Sequence, residues 1–173
     1  LSSAALFLDE YHIDGLRVDA VSSMLYLGYA RNGDFARNRE GGDIDLGAES
    51  FLRRLTGLCA SRGAISVAEE SSAYPGVTAP AGFGGLGFTL KWDMGFMHDT
   101  LDYMSLDPLF RRGSHEKLTF SMMYAFSERY VLALSHDEVV HGKKSMIGRM
   151  PGSYDEKFAN LRLMYAYQYA HPG

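Results

Sequence analysis

A single cysteine, Cys59, stands in the 173 residues, so no internal disulfide can form. It falls on the stripe Phe51, Leu52, Leu55, Leu58 and Cys59 of an expected helix, which assigns it to a core rather than to nucleophilic chemistry. No apolar run reaches the roughly 18 residues that cross a bilayer, and no basic stretch followed by an apolar one resembles a secretory leader. A soluble, cytoplasmic protein with no membrane partner is therefore expected. The net charge of -4 leaves no basic face for nucleic acid, so a neutral substrate or one held by specific contacts is expected. Repeats and low-complexity linkers are also lacking, and no domain boundary is placed within the chain. It begins Leu-Ser-Ser-Ala without methionine and ends His171-Pro172-Gly173 after a long helix, which leads us to expect a piece of a larger catalytic domain.

What is present is a hydrophobic content of 46% with 13% aromatic residues, enough for one cored domain. Periodicity predicts helices at about 2–11, 48–62, 94–104, 114–127 and 154–170, and strands at about 15–19, 64–69, 87–92 and 130–135. The last helix is best marked: Ser153 and Glu156 have capping-box spacing, and Phe158, Leu161, Met164, Tyr165 and Tyr169 form its expected apolar stripe. Strand and helix alternate, which argues for an α/β fold with a parallel sheet, open or closed. A complete (β/α)8 barrel needs roughly 250 residues, so about four strands here correspond to half of one.

The run Asp14-Gly-Leu-Arg-Val-Asp-Ala-Val21 places Arg17 and Asp19 on one side of what otherwise reads as a buried strand. Arg17 would hold the Asp19 carboxylate ionised, as a nucleophile requires; a buried structural ion pair reads the same motif equally well. Two further strands end on acids, Glu69 after Ala64-Ile-Ser-Val-Ala68 and Asp137 after Tyr130-Val-Leu-Ala-Leu-Ser135. Carboxylates gathered on one rim suit glycosidic bond chemistry, with one attacking the sugar carbon and a protonated one serving the leaving oxygen. The apolar strand before Glu69 would desolvate it and favour that protonated form. Glu70 competes for the role, because strand alternation lets only one of the two face a site.

His136 and His141 suggest a metal site, but they are five apart, not four, and no cysteine lies nearby, so no metal and no cofactor is expected. His136 is read instead as a donor to sugar hydroxyls beside Asp137. The stretch Ser71 to Gly87 reads as a long ordered loop over the strand ends, with Tyr74, Phe83 and Trp92 as candidate aromatic faces for sugar rings or as hydrophobic anchors. Asn32 to Asp45, polar and glycine-rich, reads as a loop on the site face or a solvated segment.

These motifs carry a resemblance. Gly15-Leu-Arg-Val-Asp-Ala-Val21, Val67-Ala-Glu-Glu-Ser71 and Leu134-Ser-His-Asp-Glu138 look like the second, third and fourth sequence regions of the α-amylase-type glycoside hydrolase superfamily. Within it the chain most resembles the 1,4-α-glucan (glycogen) branching enzymes, through Ala68-Glu-Glu-Ser71, Tyr74-Pro-Gly-Val-Thr78, Gly84-Gly-Leu-Gly-Phe88, Lys91-Trp-Asp-Met-Gly95, Met97-His-Asp-Thr-Leu-Asp-Tyr103 and Ser135-His-Asp-Glu-Val-Val-His-Gly-Lys143. The likeness implies a partial TIM barrel, roughly its fourth to seventh strand-helix units, and an α-1,4-glucan substrate such as glycogen, amylose or a starch-like polymer. It implies Asp19 as nucleophile, Glu69 as acid/base, Asp137 as transition-state stabiliser, and Arg17 and His136 in support. The superfamily's first region, an Asp and a His from an earlier strand, is absent, as are the first strands and the eighth. Phe96 stands where the related enzymes often carry tryptophan. A branching transferase is the leading expectation, with a related debranching or trehalose-releasing hydrolase, or a non-catalytic glucan-binding relative, as alternatives.

Overall fold

The computed structural model describes residues 1–30, 37–139 and 143–173, in two compact units, Leu1–Trp92 and Asp93–Gly173. The first part of the expected loop, residues 32–36, and His141 lie outside the described residues.

The first unit holds α1 (Ser2–Asp9), β1 (Gly15–Val18), α2 (Val21–Leu25), α3 (Leu46–Ser61), β2 (Ile65–Ala68) and β3 (Leu90–Trp92). β1 pairs with β2 and β2 with β3, both in parallel, as the alternation of strand and helix predicts. Gly15 lies opposite Ile65 in that register, and any side chain at Gly15 would collide with the Ile65 backbone and side chain. α3 starts where Asp45 accepts from the Gly47 and Ala48 amides at 2.8 and 3.0 Å. Its buried face comprises Leu52, Leu55, Thr56 and Cys59, so the cysteine is core, and burial pushes its thiol pKa up. Phe51, expected on the same stripe, is exposed. Val21, Leu25, Leu52, Ala68, Val77, Leu86 and Phe88 form the core, so the β2–β3 loop is itself a core component. That loop is ordered by Arg53, which donates to the Gly84 and Gly85 carbonyls at 2.8 and 2.9 Å, and by Thr56, which donates to the Leu86 carbonyl at 2.7 Å.

The second unit holds α4 (Met94–Ser105), α5 (Glu116–Thr119), β4 (Tyr130–Val131), α6 (His136–Val139), α7 (Met146–Arg149) and α8 (Tyr154–Ala170). Tyr103, Met104, Met150 and Met164 form its core. Three expectations need correction here. The helix predicted over 114–127 is α5 followed by a 3-10 turn, Phe120–Met123, because Ser121 is drawn to His171 Nε2 at 2.7 Å and Tyr124 donates to Asp93 Oδ1 at 3.1 Å. The strand predicted to 135 stops at Val131: the Leu132 carbonyl accepts from Gln168 at 2.8 Å, and the Ser135 amide lies 3.2 Å from Met97 Sδ. Side chains thus take the groups a ladder would have used. α8 has its capping box, with Ser153 N donating to Glu156 Oε2 at 2.6 Å, yet of its expected stripe only Met164 is buried, while Phe158, Tyr165 and Tyr169 are exposed.

Candidate active site

Asp19 and Glu69 follow the C-terminal ends of the neighbouring strands β1 and β2, where parallel sheets collect reactive side chains. Arg17 lies one residue inside β1, paired in register with Val67. Its Nη2 reaches Glu69 Oε2 at 2.6 Å and Asp19 Oδ1 at 3.0 Å. One guanidinium nitrogen thus links the two carboxylates. The expectation of a buried ion pair is overturned, because the Asp19 side chain is 77% exposed and Arg17 stands on the open side of the strand. Glu69 is more enclosed, at 18%.

The turn after Asp19 is built around Glu69. Ala20 has φ 48°, a left-handed conformation unusual for a residue with a Cβ. Its amide donates to Glu69 Oε2 at 3.2 Å, the Val21 amide donates to the Glu69 carbonyl at 2.9 Å, and the Glu69 amide donates to the Val18 carbonyl at 2.9 Å. Burial, followed by hydrogen bonding with Asp19, raises the Glu69 pKa above its ordinary value; the Ala20 amide and Arg17 oppose this without reversing it. Glu69 is therefore biased toward the protonated form beside an exposed aspartate.

Glu70 faces the other way. It is buried, shares its side of the strand with Ser66 and Ala68, and is paired with Lys91 at 2.7 Å. Trp92 lies against the site from β3, its ring centre 4.2 Å from the Arg17 guanidinium carbon, so one face meets a cation rather than open space. Tyr74 donates its hydroxyl to Glu49 and sets its ring edge-on to Tyr26, which commits much of it to holding the loop. Phe83, by contrast, is 89% exposed. A shallow cleft of about 270 Å³ lies beside these loops, lined by Tyr26, Gly28, Tyr29, Asp43 and Ser72.

In the second unit, Asp137 opens α6 next to His136, whose Nε2 lies 3.3 Å from Asp137 Oδ1, and both are largely exposed. The Asp137 amide donates to Ser135 Oγ at 3.2 Å. Glu138 is the engaged acid of this motif: Lys143 at 2.7 Å holds its carboxyl below the usual range. Among the described residues, no group of three or more His, Cys, Asp or Glu side chains could hold a metal ion, and no helix is long and apolar enough to cross a membrane.

Comparison with known proteins bears on this arrangement. No protein-family model matches the chain. Over its whole length it is 56% identical to a segment making up 24% of the 1,4-alpha-glucan branching enzyme GlgB of Rubrobacter xylanophilus. It is 57% identical to the corresponding 24% of 1,4-alpha-glucan branching enzyme GlgB 1 of Xanthomonas oryzae, and 55% identical to that of the Thiobacillus denitrificans enzyme. Throughout its length the chain is similar to one segment of the 1,4-alpha-glucan branching enzymes. It spans about a quarter of the length of the curated relatives it matches. Reading the sequence alone missed α2 and the Lys91–Glu70 pair. A lysine inside an otherwise apolar strand, in alternation with Trp92, was the signal available for the second.

Proposed function

We propose that this chain carries part of the active site of a branching enzyme, which cuts an α-1,4-glucan and rejoins the cut chain through an α-1,6 bond. The observation that carries the reading is the shared contact of Asp19 and Glu69 with Arg17 Nη2. Two carboxyl oxygens on one nitrogen are held closer than the roughly 6.5–9.5 Å of an inverting pair, in keeping with the retaining, double-displacement route. We further propose that both units are parts of one (β/α)8 catalytic domain, roughly the fourth to seventh strand-helix units, acting in the cytoplasm.

In the first step Asp19 attacks C1 of the donor sugar while Glu69 gives its proton to the departing O4, leaving a glucosyl ester on Asp19. The raised pKa of Glu69 suits it to that donation. In the second step Glu69 takes the proton from a 6-hydroxyl of another glucan, whose oxygen displaces Asp19 from C1 and closes the branch. Arg17 aligns both carboxylates. Asp137 and His136 stabilise and orient the reacting ring, while Tyr74 and Trp92 offer the sugar the faces not taken by Tyr26 and Arg17. The names of the relatives do not favour a hydrolase.

The test is a full-length chimera: the Rubrobacter xylanophilus relative with this chain in place of its matching segment, acting on amylose. Proton NMR should count new α-1,6 linkages without matching new reducing ends, and Asp19→Asn should abolish them. Reducing ends without branches, or a chimera with no activity, would overturn the reading.

A further inference from the structure

The side of the sheet turned away from Arg17 carries a second set of charges that the reaction above does not use. Glu70, Lys91 and Ser22 are all buried. Glu70 Oε1 accepts from Ser22 Oγ at 2.6 Å and from the Ser72 amide at 2.8 Å, while Glu70 Oε2 lies 2.7 Å from Lys91 Nζ. Lys91 also donates to the Ser72 carbonyl at 3.2 Å, and Ser22 Oγ accepts from the Ser71 amide at 3.1 Å. Carboxylate and ammonium have given up water here, an exchange that packed apolar side chains often match or better in stability. Their presence therefore calls for a reason other than stability.

Alternation supplies that reason. Lys91 and Trp92 are neighbours in β3 and project to opposite sides, as Glu70 and Glu69 do after β2. Arg17, Glu69 and Trp92 thus stand back to back with Ser22, Glu70 and Lys91. A backbone rotation that took Glu69 from Arg17 would also take Glu70 from its partners. We propose that Lys91 and Glu70 are positioning residues for the branching reaction. Their buried pair, with Ser22, stops segment 69–72 from rotating and so keeps the Glu69 carboxyl on Arg17 and beside Asp19. Ser22, at the start of α2, ties the same lock to the strained turn at Ala20. This inference rests on the branching reading.

The test uses the same full-length chimera. Lys91→Met is expected to lower kcat about a hundredfold, the scale of a misplaced catalytic group, with KM changed less than about twofold. Lys91→Arg should recover part of the loss. The double variant Lys91→Met/Glu70→Met fills the space with apolar groups and should fold, yet kcat should stay about a hundredfold down, because nothing then holds Ser22 and the Ser72 amide. A folded single or double variant with kcat within about threefold of the unsubstituted chimera, or with a change in KM alone, overturns the proposal. Should neither lysine variant fold, Glu70→Gln decides by the same criterion. Asp19→Asn and Glu69→Gln serve as references. If they are inactive while the lysine variants are active, only the positioning role fails. If they too retain branching, the active-site reading of Asp19 and Glu69 fails with it.

Discussion

The guanidinium of Arg17 lies 4.2 Å from the centre of the Trp92 ring, so the aromatic face at the end of β3 closes over the cation that Asp19 and Glu69 share. Trp92 is thereby placed to support the proposed site without contact with a sugar. Such a contact is worth about 0.5–2 kcal/mol.

Trp92→Ala should accordingly lower kcat/KM of the full-length chimera by up to roughly thirtyfold. Trp92→Phe, which keeps a ring over Arg17, should lose less. Equal losses in the two variants would show that the Arg17 contact is not what matters.

Removing Arg17 should move the pH profile in a defined direction. Arg17 is one of two groups that lower the Glu69 pKa against the larger effects of burial and Asp19. In the proposed first step Glu69 acts protonated, so activity should fall as pH rises through its pKa. Arg17→Met should therefore shift the alkaline limb of kcat/KM to higher pH even as the rate drops. A downward shift would refute the assignment of that limb to Glu69.

The α8 capping box offers a check on local stability. Ser153→Ala should cost about 1 kcal/mol. The Ser153 amide and side chain hold the Glu156 carboxyl below its ordinary pKa. A depressed folded-state pKa means the Glu156 contribution is present above the ordinary carboxylate range and is lost on acidification through the folded value. Hydrogen exchange in the first turn of α8 of the full-length chimera, corrected for intrinsic rates, should lose protection as pH falls; Ser153→Ala, which keeps the backbone donor to Glu156 but not the hydroxyl, should lower protection while retaining that pH dependence.

Expressed alone, the 173-residue chain is expected to be inactive and poorly folded. Phe83, Leu109, Met123 and Phe126 are each at least 80% exposed, large apolar side chains that the chain by itself leaves in water. Thermal unfolding followed by circular dichroism should show no cooperative transition; a sharp one in the purified monomer would contradict this.

Much of this was legible from local pattern. Strand and helix order followed from periodicity, the α8 start from Ser153 and Glu156, and the Arg17–Asp19 contact from two-residue alternation, all properties of a few adjacent residues. The reading failed where distant side chains intervened. Ser121 is tied to His171 fifty positions away, and Leu132 to Gln168, so a helix and a strand that local propensity favours were cut short.

The sequence by itself determined the alternating parallel α/β order and the acids Asp19 and Glu69 that follow β1 and β2, because both depend on periods of two and 3.6 residues. Only the tertiary structure decided which of Glu69 and Glu70 faces Arg17. That choice depends on Lys91 and Ser22, which are 21 and 48 residues from Glu70 in the chain. Alternation dictates that adjacent residues face opposite sides, but not which side is which; a buried partner from another strand sets that.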